Sequence, residues 1–437
     1  MHTLVTRVSR LPAVAPVSPA IVTNIDGRTS PQKASALLPR ITARWVTRPR
    51  RPQAPDEPAH PFQTVALVVT DYLPARGGTT TQTMLHAREF HRVGLSVLVL
   101  TRFIAGQPRH QVIDGIQVRR LALAGRGRLA KACDLVCTFS WLARHRHRLN
   151  GVNVMLDCDY ALMACLAGLR RCTVMTWVTR GDARRQLSGP LGYLRKSILA
   201  HVPHVALSPQ MSHELISLGF PNAKVIPVPV DTQLLSKPTP KERVASRDFL
   251  AAKPGEIILF VGHLQPRKAV DQLILSLSFL PPGYSDVSLA LVGGPIEPSD
   301  HRYVQRLHDL VSEHGLDDRV RFWGPRDDIL RFLHGADIFC LPSHREGMPN
   351  ALLEAMSCGL PCVAPASAGG DELLTECGVI PPTNSPADLA KALCSLLDDP
   401  DLRDRLGSFA RSIVSRQHRP ASIANDYIHL WHLTPSP

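Results

Sequence analysis

No apolar run in these 437 residues approaches the ~18–20 needed for a membrane-spanning helix. The N-terminus also lacks the unbroken apolar core of a secretory signal. The ten cysteines therefore read as reduced thiols of a cytoplasmic protein, not as a disulfide framework. Metal-site spacing is missing too. Cys133-x3-Cys137 and Cys358-x3-Cys362 sit in core-like stretches and lack the usual zinc arrangement. There is no short-period repeat and no nucleic-acid recognition motif, so charge alone argues for a nucleic-acid partner, and none is expected.

What the chain has is basic charge, unevenly spread. The formal net charge is +13. Residues 102–206 carry seventeen Lys/Arg against five acids, whereas 250–400 carry eleven against twenty. A basic first half beside an acidic second half suggests that the first half meets an anionic partner. A membrane surface or a phosphorylated acceptor would fit.

Residues 1–61 hold ten prolines and no sustained period, and are expected to be disordered. Order is expected from Thr64-Val-Ala-Leu-Val-Val, a short apolar run suited to a buried parallel strand. Gly77-Gly78, a helix towards His91, and the strand Leu95-Ser-Val-Leu-Val-Leu follow. The second half repeats this grammar: strands at 256–262, 287–293, 320–324 and 337–341, with helices between them. The expected fold is α/β, two doubly wound Rossmann-like domains facing across a cleft. We place the first domain at 62–235 and the second at 236–416. A last helix in 417–437 is expected to return to the first domain. Residues 232–256 read as polar linker.

The most informative stretch is Glu346-Gly-Met-Pro-Asn-Ala-Leu-Leu-Glu354. Glu346 follows a buried strand, and Pro349 suits the first position of a helix that carries Glu354. Both carboxylates should face the crevice at the carboxyl ends of the strands. The amides of Gly347, Met348, Asn350 and Ala351, at a helix N-terminus, would offer an anion site. In the alternative reading, Ser343-x-x-Glu346 is a capping box and Glu354 a solvated helix residue. Pro349 argues against that box.

Gly262-x5-Lys268, Gly293-Gly294-Pro295, Pro342-Ser343, Glu346-x7-Glu354 and Glu354-Ala-Met-Ser-Cys-Gly-Leu-Pro361 occur in that order. Together they resemble the C-terminal domain of GT-B glycosyltransferases of family four, the glycosyl transferases group 1 domain, over about 250–415. Gly77-Gly78, Ser208 and Ile226-Pro-Val-Pro-Val-Asp231 give a fainter match.

The resemblance implies a retaining hexosyltransferase with a nucleotide sugar as co-substrate, no cofactor and no bound metal. No Asp-x-Asp pair stands beside the donor residues. It implies that Glu354 takes the ribose diol and Glu346 the hydroxyls of the donor sugar. Arg267 and Lys268 would neutralise the departing diphosphate. Gly78 would let backbone approach the diphosphate from the other domain. His263 stands where the family usually has Arg, which predicts weaker or pH-dependent phosphate binding. Arg180 and Asp182 follow a first-domain strand and are candidates near the acceptor. Trp141–Leu149 and Arg184–Ile198 mix basic and apolar residues and are candidates for contact with an anionic membrane. The acceptor is expected to be a glycan or lipid-linked sugar, in polysaccharide or glycolipid synthesis. Alternatives are another GT-B enzyme (a sugar-nucleotide epimerase or phosphorylase) or a non-enzymatic sugar-nucleotide binder.

Overall fold

A computed structural model describes residues 63–75, 77–121, 127–250 and 254–433; the expected disorder of 1–61 lies outside them. In the first domain the strands are β1 (Thr64–Val68), β2 (Ser96–Arg102), β3 (His110–Ile113), β4 (Ile116–Leu121), β5 (Gly151–Met155), β6 (Thr173–Trp177), β7 (His204–Ala206) and β8 (Lys224–Val225). They form one sheet in the order β3-β4-β2-β1-β5-β6-β7-β8. All neighbours are parallel except β3 and β4. The second sheet holds β9 (Ile257–Val261), β10 (Ser288–Val292), β11 (Val320–Gly324), β12 (Ile338–Cys340) and β13 (Cys362–Val363), in the all-parallel order β11-β10-β9-β12-β13.

The strand order places the site. In the second sheet the chain leaves β9 towards β10 and β11, then returns to the other side of β9 as β12. The loops after β9 and β12 therefore diverge from neighbouring strands and leave a crevice between them. β1 has the same place in the first sheet, flanked by β2 and β5.

Helices of the first domain are α1 (Gly78–Arg92), α2 (Arg128–His145), α3 (Cys158–Ala164), α4 (Asp182–Gln186), α5 (Gly189–Leu199) and α6 (Pro209–Ser217). In the second they are α7 (Pro240–Leu250), α8 (Val270–Ser276), α9 (Asp300–Glu313), α10 (Ile329–Gly335), α11 (Asn350–Ser357), α12 (Gly370–Leu373), α13 (Pro386–Leu397) and α14 (Pro400–Gln417). The last helix, α15 (Pro420–Leu430), packs on α1 of the first domain. The Trp431 and Phe90 rings lie edge to face at 5.3 Å, and the Tyr427 and Thr176 hydroxyls are 2.9 Å apart.

Three expectations are corrected. The stretch 232–256 is not simply linker, because α7 lies within it. Arg243 and Arg247 of that helix both hold Asp337, just before β12, and Leu250 is buried. The hairpin β3–β4 is unforeseen. β3 is half-exposed, but β4 alternates, with Ile116, Val118 and Arg120 buried, and Asp114 and Gly115 between them both have positive φ, as a two-residue hairpin turn requires. Finally, Trp141, Leu142 and Leu149 are core residues. The apolar side of 141–149 is spent on the first domain's interior and cannot face a membrane. Among the described residues no helix is long and apolar enough to cross one.

Candidate active site

A cavity of about 630 Å³ lies between the two sheets, within the size range of small-molecule sites. Gly78, His263, Arg267, Lys268, Glu346, Gly347, Met348, Asn350, Ala351 and Glu354 all line it. Ten positions spread over three chain segments thus meet on one surface.

The loop after β9 turns through Pro266–Lys268 and ends at Ala269, which takes a left-handed φ of 50°. The backbone N–H of His344 donates to Arg267 O at 2.9 Å and ties this loop to the one after β12. Lys268 Nζ then donates to Glu346 Oε1 at 2.6 Å, and the Arg267 guanidinium lies 3.4 Å from both carboxylate oxygens. Burial pulls the Lys268 ammonium below its usual range, while the facing Glu346 carboxylate opposes that shift. Ser343 begins no helix, so the capping-box reading of Ser343 and Glu346 fails.

α11 starts one residue later than expected. Pro349 is its extended N-cap and Asn350 its first helical residue. Asn350 and Ala351, the first two helical residues, line the cavity, while the Leu352 amide already donates to Pro349 O at 3.1 Å. Glu354 lies one turn further along the same wall. Among the described residues its carboxylate makes no hydrogen bond or ion pair, and burial pushes its carboxyl up to about 7. A half-buried carboxylate without a partner suits a ligand that brings its own donors, such as a vicinal diol.

His263 is less basic than free histidine. Burial lowers it, and the nearby Lys268 and Arg267 charges lower it further. Both effects favour its neutral form, which carries no charge to replace the one that arginine would supply.

The two domains touch across the cavity. Asn350 Nδ2 donates to Gly78 O at 3.0 Å, and Gln82 Nε2 donates to Asn350 Oδ1 at 3.0 Å. Gly347 abuts the first domain so closely that an ideal Cβ there would fall 2.2 Å from Val178 O. On the flank, the Gln210 backbone N–H at the start of α6 donates to Glu372 at 2.9 Å, and Arg180 lies 3.8 Å from the same carboxylate.

Not every candidate lies at the cavity. Arg180 is at its edge, in a neighbouring recess. Asp182 turns away: it is buried, bonded to Arg185 at 2.9 Å, and lines neither space. Other wall residues were not anticipated, notably Gln82, Thr179 and Arg326. Arg326 follows β11 at a strand's carboxyl end, a position that marks crevice residues in such sheets. Gln82 gave no signal beyond its place in the first turns of α1. Among the described residues, the one group with metal-ligand geometry is Asp157, Cys158 and Asp159. Its carboxylates are taken by Lys131 and Arg195.

Residues 242–413 match the sequence profile described as glycosyl transferases group 1. The D-inositol 3-phosphate glycosyltransferase of Kineococcus radiotolerans is 30% identical over 378 residues, which is 76% of this chain and 85% of that protein. The sucrose-phosphate synthase of Thermosynechococcus elongatus superposes with a TM-score of 0.72 at 22% identity, covering 85% of this chain and 98% of that one. Anabaena HepE, solved in complex with UDP and glucose, superposes with a TM-score of 0.70 at 19% identity over 84% and 98% of the two chains. From the profile match, the Kineococcus relative and the shared two-domain architecture, the chain belongs to the glycosyl transferases group 1 family and has the GT-B fold.

Proposed function

We propose that this glycosyltransferase moves a sugar from its nucleotide donor to a hydroxyl of a glycan or glycolipid, with retention of configuration, in polysaccharide or glycolipid synthesis. The observation that carries the reading is the pairing, in one cavity, of the buried Lys268–Glu346 pair, flanked by the exposed Arg267, with the unpartnered carboxylate of Glu354. One end of that arrangement suits a diphosphate and a sugar, the other a ribose diol.

In this reading the second domain, 236–416, takes the donor and the first, 62–235, the acceptor. Glu354 accepts from both ribose hydroxyls, and the first-turn amides of α11 meet the diphosphate. Glu346 receives the donor sugar's hydroxyls. The bond from the anomeric carbon to phosphate breaks, and the acceptor oxygen bonds that carbon on the same face. The acceptor proton passes to the leaving phosphate oxygen, so no side chain acts as base. Arg267 and Lys268 stabilise the charge that develops there, a role that needs no metal ion. The cross-cleft contacts of Asn350 and Gly347 keep water from the reacting atoms.

Thermal unfolding with UDP-, GDP- and ADP-sugars tests the donor site. A ligand at ~100 times its dissociation constant adds about 2.7 kcal/mol. Stabilisation by one nucleotide, lost in Glu354→Ala, is the expected result, with sugar transfer then followed by product analysis. The reading fails if no nucleotide sugar stabilises the protein and none is consumed.

We also propose that the enzyme is cytoplasmic and rests on an anionic membrane face through α5. Leu191, Tyr193 and Leu194 are exposed there, on a helix that also carries Arg195 and Lys196.

A further inference from the structure

A second recess, of about 410 Å³, opens beside the donor cavity and is walled by Arg180, Gly181, Arg184, Gln210, Glu214 and Arg345. It continues the cavity along both domains. Val178 and Thr179 line the cavity and the next two residues line the recess; Glu346 lines the cavity and Arg345 the recess. The two walls are close, because an ideal Cβ on Gly181 would lie 3.7 Å from Arg345 Nη1.

Its charges are unbalanced. Three guanidinium groups face one carboxylate, a net of +2 among the lining residues. That carboxylate is already engaged: Glu214 accepts from the backbone N–H of Gly181 at 3.0 Å and of Arg184 at 3.4 Å. The Arg184 and Arg345 guanidinium groups make no hydrogen bond or ion pair among the described residues. Arg180 Nε is buried with no acceptor. Glu372, the nearest acid to Arg180, gives its other oxygen to the Gln210 amide. Solvated arginines on a free surface would repel one another apart. Here two domains bring three of them to one concavity, and planar guanidinium forks match the oxygens of a phosphate.

We propose that this recess binds a phosphate monoester carried by the acceptor, and so orients the acceptor hydroxyl towards the donor sugar at Glu346. The acceptor role rests on the transferase reading above; the anion site does not. A phosphate group on a soluble sugar and one on a lipid headgroup share this chemistry.

The test is calorimetric titration of the full chain with inorganic phosphate, and with a hexose monophosphate beside its unphosphorylated parent. It uses wild type, the recess variants Arg184→Gln and Arg345→Gln and, as a control in the neighbouring cavity, Arg267→Gln, whose side chain is exposed. Both recess arginines are exposed and unpaired, so their removal should leave the fold intact. We expect the phosphorylated probes alone to bind. Each recess variant should weaken them about tenfold, a change of about 1.4 kcal/mol, while Arg267→Gln stays within about twofold. Flotation with phosphatidic acid vesicles forms the second arm. The arm that Arg345→Gln weakens names the source of the phosphate, and weakening in neither overturns the proposal. It is also overturned if wild type binds no phosphate, or if Arg267→Gln abolishes binding while the two recess variants keep it. Nucleotide-sugar affinity, followed in parallel, should be unchanged in the two recess variants. If wild type binds phosphate as expected but no nucleotide sugar, the donor reading fails and the anion site stands.

Discussion

Lys268 Nζ lies 2.6 Å from Glu346 Oε1, and each residue is less than a tenth exposed. Two opposite charges held this far from water are stable only together. Each is the other's main compensation, and both face the cavity.

Removing one partner should therefore cost more than removing both. Lys268→Met or Glu346→Leu alone should destabilise by about 3–5 kcal/mol, and the double variant by less than either. Urea denaturation of the four proteins measures this. Additive losses would mean that the pair is not coupled. Transfer activity should also separate the two glutamates: Glu346→Ala should lose far more turnover than Glu354→Ala. Wild-type turnover in Glu346→Ala would remove it from the reaction.

Glu354 sets a pH dependence with a definite sign. Burial pushes its carboxyl in the folded protein up to about 7, well above the usual carboxylate range. The folded state thus holds the proton more tightly, and stability is lost as pH rises from the unfolded value through 7. The loss is at most about 3 kcal/mol. Glu354→Gln should melt above wild type at pH 8 and level with it near pH 4. If a diol needs the ionised form, nucleotide binding at pH 7 should release a fraction of a proton in wild type and none from this position in Glu354→Gln. Calorimetry in buffers of different ionisation enthalpy reads this directly, and equal release from both proteins would place the diol elsewhere.

His263, lowered by burial and by two neighbouring cations, should contribute no charge above neutral pH. Nucleotide affinity in wild type and His263→Gln should therefore follow the same pH course from 7 to 8.5. A fall in wild type alone would show that the histidine acts as a cation after all.

Gly347 has no room for a side chain against Val178. Gly347→Ala should hold the cleft open, raising the donor dissociation constant and lowering turnover, while the melting temperatures of the two domains change little. Small-angle scattering would show the opening; unchanged scattering and turnover would mean that the contact is not needed.

Membrane contact through α5 predicts cosedimentation with anionic but not neutral vesicles, weakened by salt. Tyr193→Ala combined with Lys196→Glu should reduce it strongly. Retention of the double variant on vesicles would rule out this helix as the seat.

The second domain's wall of the cavity was legible in the sequence because it is local. Glu346 and Glu354 lie on one loop and the helix that follows it, and Pro349 fixes where that helix starts, to within one residue. Short apolar runs likewise marked the buried parallel strands. The rest depended on elements distant in the chain. Only the order β11-β10-β9-β12-β13 brings the loop after β9 against the loop after β12, and so pairs Lys268 with Glu346. Burial, not residue type, lowered His263 and raised Glu354, and a sequence does not state burial by other elements. The basic residues read as one diffuse field in the sequence. Folding sent Trp141 and Leu142 into the core, paired Asp182 with Arg185, and gathered Arg180, Arg184 and Arg345 from two domains into a single recess. Spacing along the chain determines which groups a loop or helix can present. Which groups meet, and how much water remains around them, is decided by packing between segments far apart in sequence.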